Sequence, residues 1–252
     1  MAALAAERIK LFSTRAPLAG LAGAAVASLG LAALQAAGRG TGPLTPADAA
    51  LGVAVVAVPV LMVLASMTVT GEFRSEMIRT TFLAIPDRKR VLVAKAVLTA
   101  AFAATAAAVL VILSVLIADA LAPPLATELL SLGDPATWAA VGSFGLYAAI
   151  AAVLGVGVGT LIRAAPGTVA VLLLWPLVIE TVLGVLPDTG DRIGPYLPFA
   201  NAYTFLEIEW LYPGSALGGE MRWGPLGALL YFVAVVAVVF VAALVVVDRR
   251  DP

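Results

Sequence analysis

"AALGVAVVAVPVLMVLASMTVT", residues 49–70, runs for 22 positions without a charged side chain. As a helix rising 1.5 Å per residue it reaches about 33 Å, enough to cross a hydrocarbon core about 30 Å thick. A membrane β-strand would alternate apolar and polar positions over roughly ten residues, and this run does not alternate. Directly behind it stands "GEFRSEMIRTTFLAIPDRKRV", residues 71–91, with eight charged residues in 21 positions. A second long apolar run then begins. Span, short charged connector, span: that sequence of features decides the fold.

The rest of the chain repeats it. Of 252 residues, 62% are hydrophobic and 12% charged, and the mean hydropathy is +1.05. A soluble domain carries about 25% charged residues, so half that share cannot cover a solvated surface. Six segments have the length to cross a membrane: 18–37, 49–70, 91–118, 138–162, 167–186 and 223–247. The expected fold is therefore all-α and polytopic, with six transmembrane helices in a single domain over 1–252. The first run follows Arg8, Lys10 and Arg15 as a signal peptide's would, but it exceeds the 7–15 apolar residues of one and is read as a retained span.

Local chemistry marks two helix starts. Thr45, Pro46 and Asp48 form an N-cap, a first-turn proline and a capping-box acid, and Asp134 with Pro135 repeats the device before the fourth span. The basic residues are strongly asymmetric. Twelve of the 15 (Arg8, Lys10, Arg15, Arg74, Arg79, Arg88, Lys89, Arg90, Lys95, Arg163, Arg249, Arg250) flank one side of the alternating spans. Only Arg39, Arg192 and Arg222 flank the other, where Asp119, Glu128, Asp134, Asp188, Asp191, Glu207, Glu209 and Glu220 also fall. The positive-inside rule then predicts cytoplasmic termini and a cytoplasmic 71–90 loop. Trp138 and Trp223 lie at the outer ends of their spans, as interfacial anchors would.

Several kinds of chemistry are excluded. Without cysteine there are no disulfides, thiolate metal sites or thiol nucleophiles, and without histidine the commonest general base and metal ligand is missing. The net charge of -1 provides no bias toward nucleic acid. No G-x-x-x-x-G-K-[ST] phosphate cradle occurs; "GVGVGT" at 155–160 lacks the lysine and lies inside a span.

The connector itself reads as an amphipathic helix of about fourteen residues between Gly71 and Pro86. Glu72, Ser75, Glu76 and Arg79 fall at i, i+3, i+4 and i+7, hence on one face, while Phe73, Met77, Ile78, Phe82 and Ile85 cover much of the rest and Arg74 intrudes. Arg88, Lys89 and Arg90 are explained by topology and anionic lipid alone, and Lys95 can snorkel to the headgroups. Neither topology nor lipid calls for Glu72 and Glu76. A face of mixed sign suits docking to a protein, where complementary charge sets register.

Glu180 is the one carboxylate inside a span, two turns from its outer end, where snorkelling or pairing with Arg192 would satisfy it; the other reading is a substrate or proton site. Pro176, four residues earlier, predicts a kink in the fifth span, and Pro176 with Glu180 marks a candidate translocation path. Gly155 and Gly159 form a G-x-x-x-G pair that permits close helix approach. The long outer segment 187–222 carries "LPFANAYTFLEIEWLY", apolar enough to fold back into the outer leaflet, either as a cap or by interfacial packing.

"GEFRSEMIRTTFLAIPDRKRVLVAK" resembles the signature between the second and third spans of permease subunits of type-2 ATP-binding-cassette (ABC) exporters. The corresponding positions are Glu72, Ile78 to Thr80, Pro86, Arg88 to Arg90 and Lys95. "AERIKLFSTRAP" and "GTLIRAAPGTVAVLLLWPLVIE" are similar to that family's N-terminal segment and its turn between the fourth and fifth spans. The resemblance covers nearly the whole chain and says nothing of cargo.

It implies an interfacial elbow helix within 1–16, a cytoplasmic coupling helix in 71–90 bearing Glu72, Arg74, Glu76 and Arg79, and a re-entrant segment in 187–222. It implies a bacterial plasma membrane, separate cytoplasmic ABC ATPase subunits carrying ATP and magnesium, and a second permease copy, identical or homologous. The chain itself would bind no cofactor, would not be an enzyme alone, and would meet lipid but no nucleic acid. Two other classes compete with this reading. One is a secondary transporter or channel driven by an ion gradient through Glu180; the other, ranked last, is a membrane enzyme using a hydroxyl nucleophile.

Overall fold

The computed structural model describes residues 15–38, 42–75, 87–186, 189–208 and 221–249, with the side chains of 15–17, 185, 189 and 191 outside that description. Every regular element among the described residues is helical. In chain order these are α1 (Arg15–Gly38), α2 (Pro46–Ala49), a π-helical turn (Val53–Ala57) leading into α3 (Val58–Arg74), α4 (Arg88–Leu121) and α5 (Pro135–Ile162). Next come α6 (Ala165–Leu174), a second π-helical turn (Trp175–Ile179), α7 (Glu180–Val185), α8 (Thr189–Ile193), a 3-10 turn (Gly194–Tyr196), α9 (Pro198–Phe205) and α10 (Pro225–Arg249).

Six helical stretches are long and apolar enough to cross a membrane: Leu18–Gly38, Val53–Arg74, Arg88–Leu121, Pro135–Ile162, Ala165–Gly184 and Pro225–Arg249. They match the six expected spans, because hydrophobic length is a property of each segment alone. Both expected caps form. Thr45 Oγ1 accepts the amide of Asp48 at 3.1 Å, and Asp134 Oδ1 accepts that of Ala136 at 2.8 Å. A third cap was not expected: Asp87 Oδ1 accepts the Arg90 amide at 3.2 Å and starts α4. With 34 residues, α4 reaches about 51 Å and overshoots a hydrocarbon core of about 30 Å.

The second span differs from its expected end. Its helix continues through Gly71 to Arg74, one turn further, because the Ser75 amide and hydroxyl both return to the Gly71 carbonyl, at 3.1 and 2.9 Å. Most of the expected coupling segment 71–90, with Glu76, Arg79 and Pro86, falls on residues 76–86, outside the described residues. So do residues 1–14 of the expected elbow (1–16) and the 187–188 and 209–220 parts of the outer loop.

The most buried spans are α3 and α5; α4 and α10 pack on α5, α6 packs on both α3 and α5, and α1 lies against α4 and the first π turn. Small residues set how closely the pair packs. A Cβ built on Gly155 would stand 2.2 Å from the Met62 carbonyl oxygen, and one on Gly159 would stand 3.1 Å from that of Ser66. Met62 and Ser66 are four residues apart, as the two glycines are, so one backbone lies along the other. The G-x-x-x-G pair is thus a true crossing. Gly52 repeats the device against Ser28 of α1, where a Cβ would meet the Ser28 carbonyl at 2.5 Å and the Ser28 hydroxyl donates to the Gly52 carbonyl at 3.0 Å. Outward, Val171, Leu174, Leu177, Val178, Leu226, Leu230 and Val238 are exposed, an apolar exterior suited to lipid.

Candidate functional site

The hairpin of α3 and α4 brings an acid and a base together at the base of the connector. Glu72 occupies the last turn of α3 and Lys95 lies two turns into α4. Lys95 Nζ stands 2.9 Å from Glu72 Oε1 and also donates to the Thr68 carbonyl at 3.1 Å. The side chains are 7% and 2% exposed. This corrects two expectations. Glu72 is buried while Ser75 is exposed, so the two do not share an exposed face, and Lys95 does not reach outward to headgroups. Removing an ion from water costs several kcal/mol, and each of these two is compensated by the other.

Around the pair, four helix ends are tied together. The pocket beside Lys95 is lined by Val69, Phe73, Arg88, Leu92, Thr160 and Val247, from α3, α4, α5 and α10. Arg88 Nη1 donates to the Val247 carbonyl at 3.4 Å in the last turn of α10, where a cation also complements the helix dipole. Lys89 pairs with Asp248 at 2.9 Å, with both side chains about half exposed. Arg90 folds back on Asp87 at 3.0 Å and is largely exposed. Arg163, in the turn after α5, adopts a left-handed conformation at φ 60 and places its guanidinium 4.9 Å from the Phe73 ring centre. Arg74 and Ser75 are exposed at the mouth of the connector.

The basic triplet Arg88–Arg90 therefore does more than mark topology. Two of its members hold the end of the sixth span, which is far away in sequence.

At the opposite end, Glu180 is buried at 5% exposure and neither snorkels outward nor pairs with Arg192. Its carboxylate accepts the Trp175 indole N–H at 2.8 Å, the Phe199 amide at 2.9 Å and the Ala200 amide at 3.0 Å. Phe199 and Ala200 open α9, so Glu180 caps a helix 19 residues further along the chain. Pro176, where a kink is expected, lies inside the second π turn. Tyr147, Tyr203, Phe199 and Phe232 pack beside this cap, with ring centres 5.5 to 6.3 Å apart.

No family model and no curated protein matches this chain.

The geometry therefore stands for itself. Among the described residues no group of three or more acids could hold a metal ion. Two organised polar centres remain: an ion pair under the connector and a carboxylate cap at the far end. The sequence carried a signal for the first, since Glu72 and Lys95 are opposite charges on the two spans that the connector joins. For the second the signal was an unmet need. α9 begins Leu197–Pro198 with no capping side chain of its own.

Proposed function

We propose that this chain is the membrane-spanning permease subunit of an ATP-driven ABC exporter, acting with a separate cytoplasmic ATPase and a second permease copy. The observation that supports it is the buried Glu72–Lys95 pair. These are the two residues that bracket the connector in the resemblance, and their contact joins the second and third spans where a coupling helix would push. A force applied to residues 76–86 would then move α3 and α4 together, and Arg88 and Lys89 would pass it to α10. Residues 76–86 keep the charges that topology does not require, Glu76 and Arg79, for docking the ATPase. Glu72 belongs to the transmission behind that surface. In this reading both termini and the connector are cytoplasmic, in a bacterial plasma membrane, and α9 lies toward the outside as the re-entrant segment.

The experiment is purification of the tagged chain from its native membrane, with identification of what accompanies it. A polypeptide carrying a Walker motif is expected. It should be lost in Glu76→Lys/Arg79→Glu while the variant still inserts and folds. Transport that continues with no ATPase bound would overturn the proposal. An ion-gradient transporter working through Glu180 is less well supported, because that carboxylate is committed to three N–H donors.

A further inference from the structure

The cap at Glu180 joins three features that the transport reading leaves unused. The first is its completeness. Pro198 at the first position of α9 has no N–H, and the next two amides, Phe199 and Ala200, both end on the Glu180 carboxylate. The positive end of the short α9 thus faces a buried anion.

The second is the turn that presents it. Glu180 directly follows the π turn Trp175–Ile179, and its amide closes onto the Trp175 carbonyl five residues back. This spacing puts the Trp175 indole over the Glu180 carboxylate. In an α-helix, residues five apart lie about 140° round from each other, and the contact would be lost.

The third is the other side of α9. Its Asn201 accepts the Trp223 indole at 2.6 Å and donates to the Pro195 and Leu197 carbonyls, while Tyr231 donates to the Tyr196 carbonyl at 2.7 Å. The Tyr231 bond ties the segment to α10, and the Trp223 bond ties it to the residues just before that helix. Glu180 ties it to the fifth span.

We propose that Glu180 is a latch between the fifth span and α9, set by the π turn, and that its release opens a seam between α7 and α9 while α9 stays on α10. When the turn is π, the carboxylate faces α9 and holds it. When the turn relaxes to α-helical register, Glu180 rotates away, and Phe199 and Ala200 lose their acceptor. Steric bistability of this kind needs no ligand and no ATPase, so it stands or falls apart from the proposed function.

Hydrogen exchange on the full chain in lipid nanodiscs tests it, because the two amides that report are the two that the latch holds. Glu180→Gln keeps the shape and removes the charge. It should speed exchange over 197–206 about tenfold or more, as expected for losing charge-assisted bonds, and leave α3, α5 and α10 unchanged. Deleting Val178, which takes one residue out of the π turn, should produce the same local change with Glu180 intact. Unchanged exchange over 197–206 in Glu180→Gln overturns the latch. So does a rise shared by α5 and α10, which would mark Glu180 as a general stabiliser of the bundle. If only the deletion leaves α9 protected, the link between turn and cap is wrong.

Discussion

Lys95 Nζ lies 2.9 Å from Glu72 Oε1, with both side chains almost fully buried, so the second and third spans are joined by charge under the connector. The pair has an asymmetric consequence. Lys95→Met or Glu72→Gln alone strands one buried ion and should lower stability by about 3–5 kcal/mol. The double variant Glu72→Leu/Lys95→Met removes both ions and should recover most of that loss. Thermal unfolding of the four proteins in detergent measures this, and equal losses in the single and double variants would rule out the pair as a stabilising unit. Transport in a double variant that is stable but uncoupled would separate a mechanical role from a structural one.

Gly155 and Gly142 lie on the same helix and should respond oppositely to alanine. A Cβ at Gly155 collides with the Met62 backbone at 2.2 Å, and backbone cannot rotate away as a side chain can. Gly155→Ala should cost about 1–3 kcal/mol by forcing α3 and α5 apart. Gly142 has no atom within 4 Å of its Cβ position, so Gly142→Ala should be neutral or gain up to about 1 kcal/mol from helix propensity. Unfolding midpoints of the two variants decide it.

Arg163 holds a left-handed backbone conformation that costs an L-residue about 1–2 kcal/mol. Arg163→Ala and Arg163→Gly both lose the contact with Phe73, but only glycine relieves the backbone. The glycine variant should therefore be the more stable of the two by about 1 kcal/mol, and equal midpoints would place the turn's strain elsewhere.

The Lys89–Asp248 pair is about half exposed and calls for the opposite expectation from the buried pair. Lys89→Ala should change stability by about 1 kcal/mol or less, and the change should shrink further in high salt. A loss as large as that at Lys95 would mean that the pair is shielded in the assembled protein.

How much of this was legible follows from what each feature depends on. The six spans could be read directly because a run such as 49–70 contains its own reason for leaving water. The caps at Thr45 and Asp134 could be read because donor and acceptor lie within three residues of each other. Pro176 marks a local departure from α-helical hydrogen bonding in the fifth span, and the structure gives its form, a π turn. Helical phase alone puts Glu72 on a face with Ser75 and Glu76, and only the facing α4 buries it. Lys95 reads as a snorkelling residue for the same reason. Glu180 was placed correctly within its span, but its partners were sought among charges, and the structure provides backbone amides.

The sequence alone was enough to establish six helices long and apolar enough to cross a membrane, with the basic residues concentrated at one set of their flanks. Apolar length and charge asymmetry are sums over neighbouring residues, and no folding alters them. Only the tertiary structure decided that Glu72 answers Lys95, that Gly155 lies on Met62 and that Glu180 caps α9. Those are distances between segments up to about ninety residues apart, set by packing, and burial makes each one matter. A charge left in the low-dielectric interior must find a partner, and which partner it finds depends on which helix lies beside it.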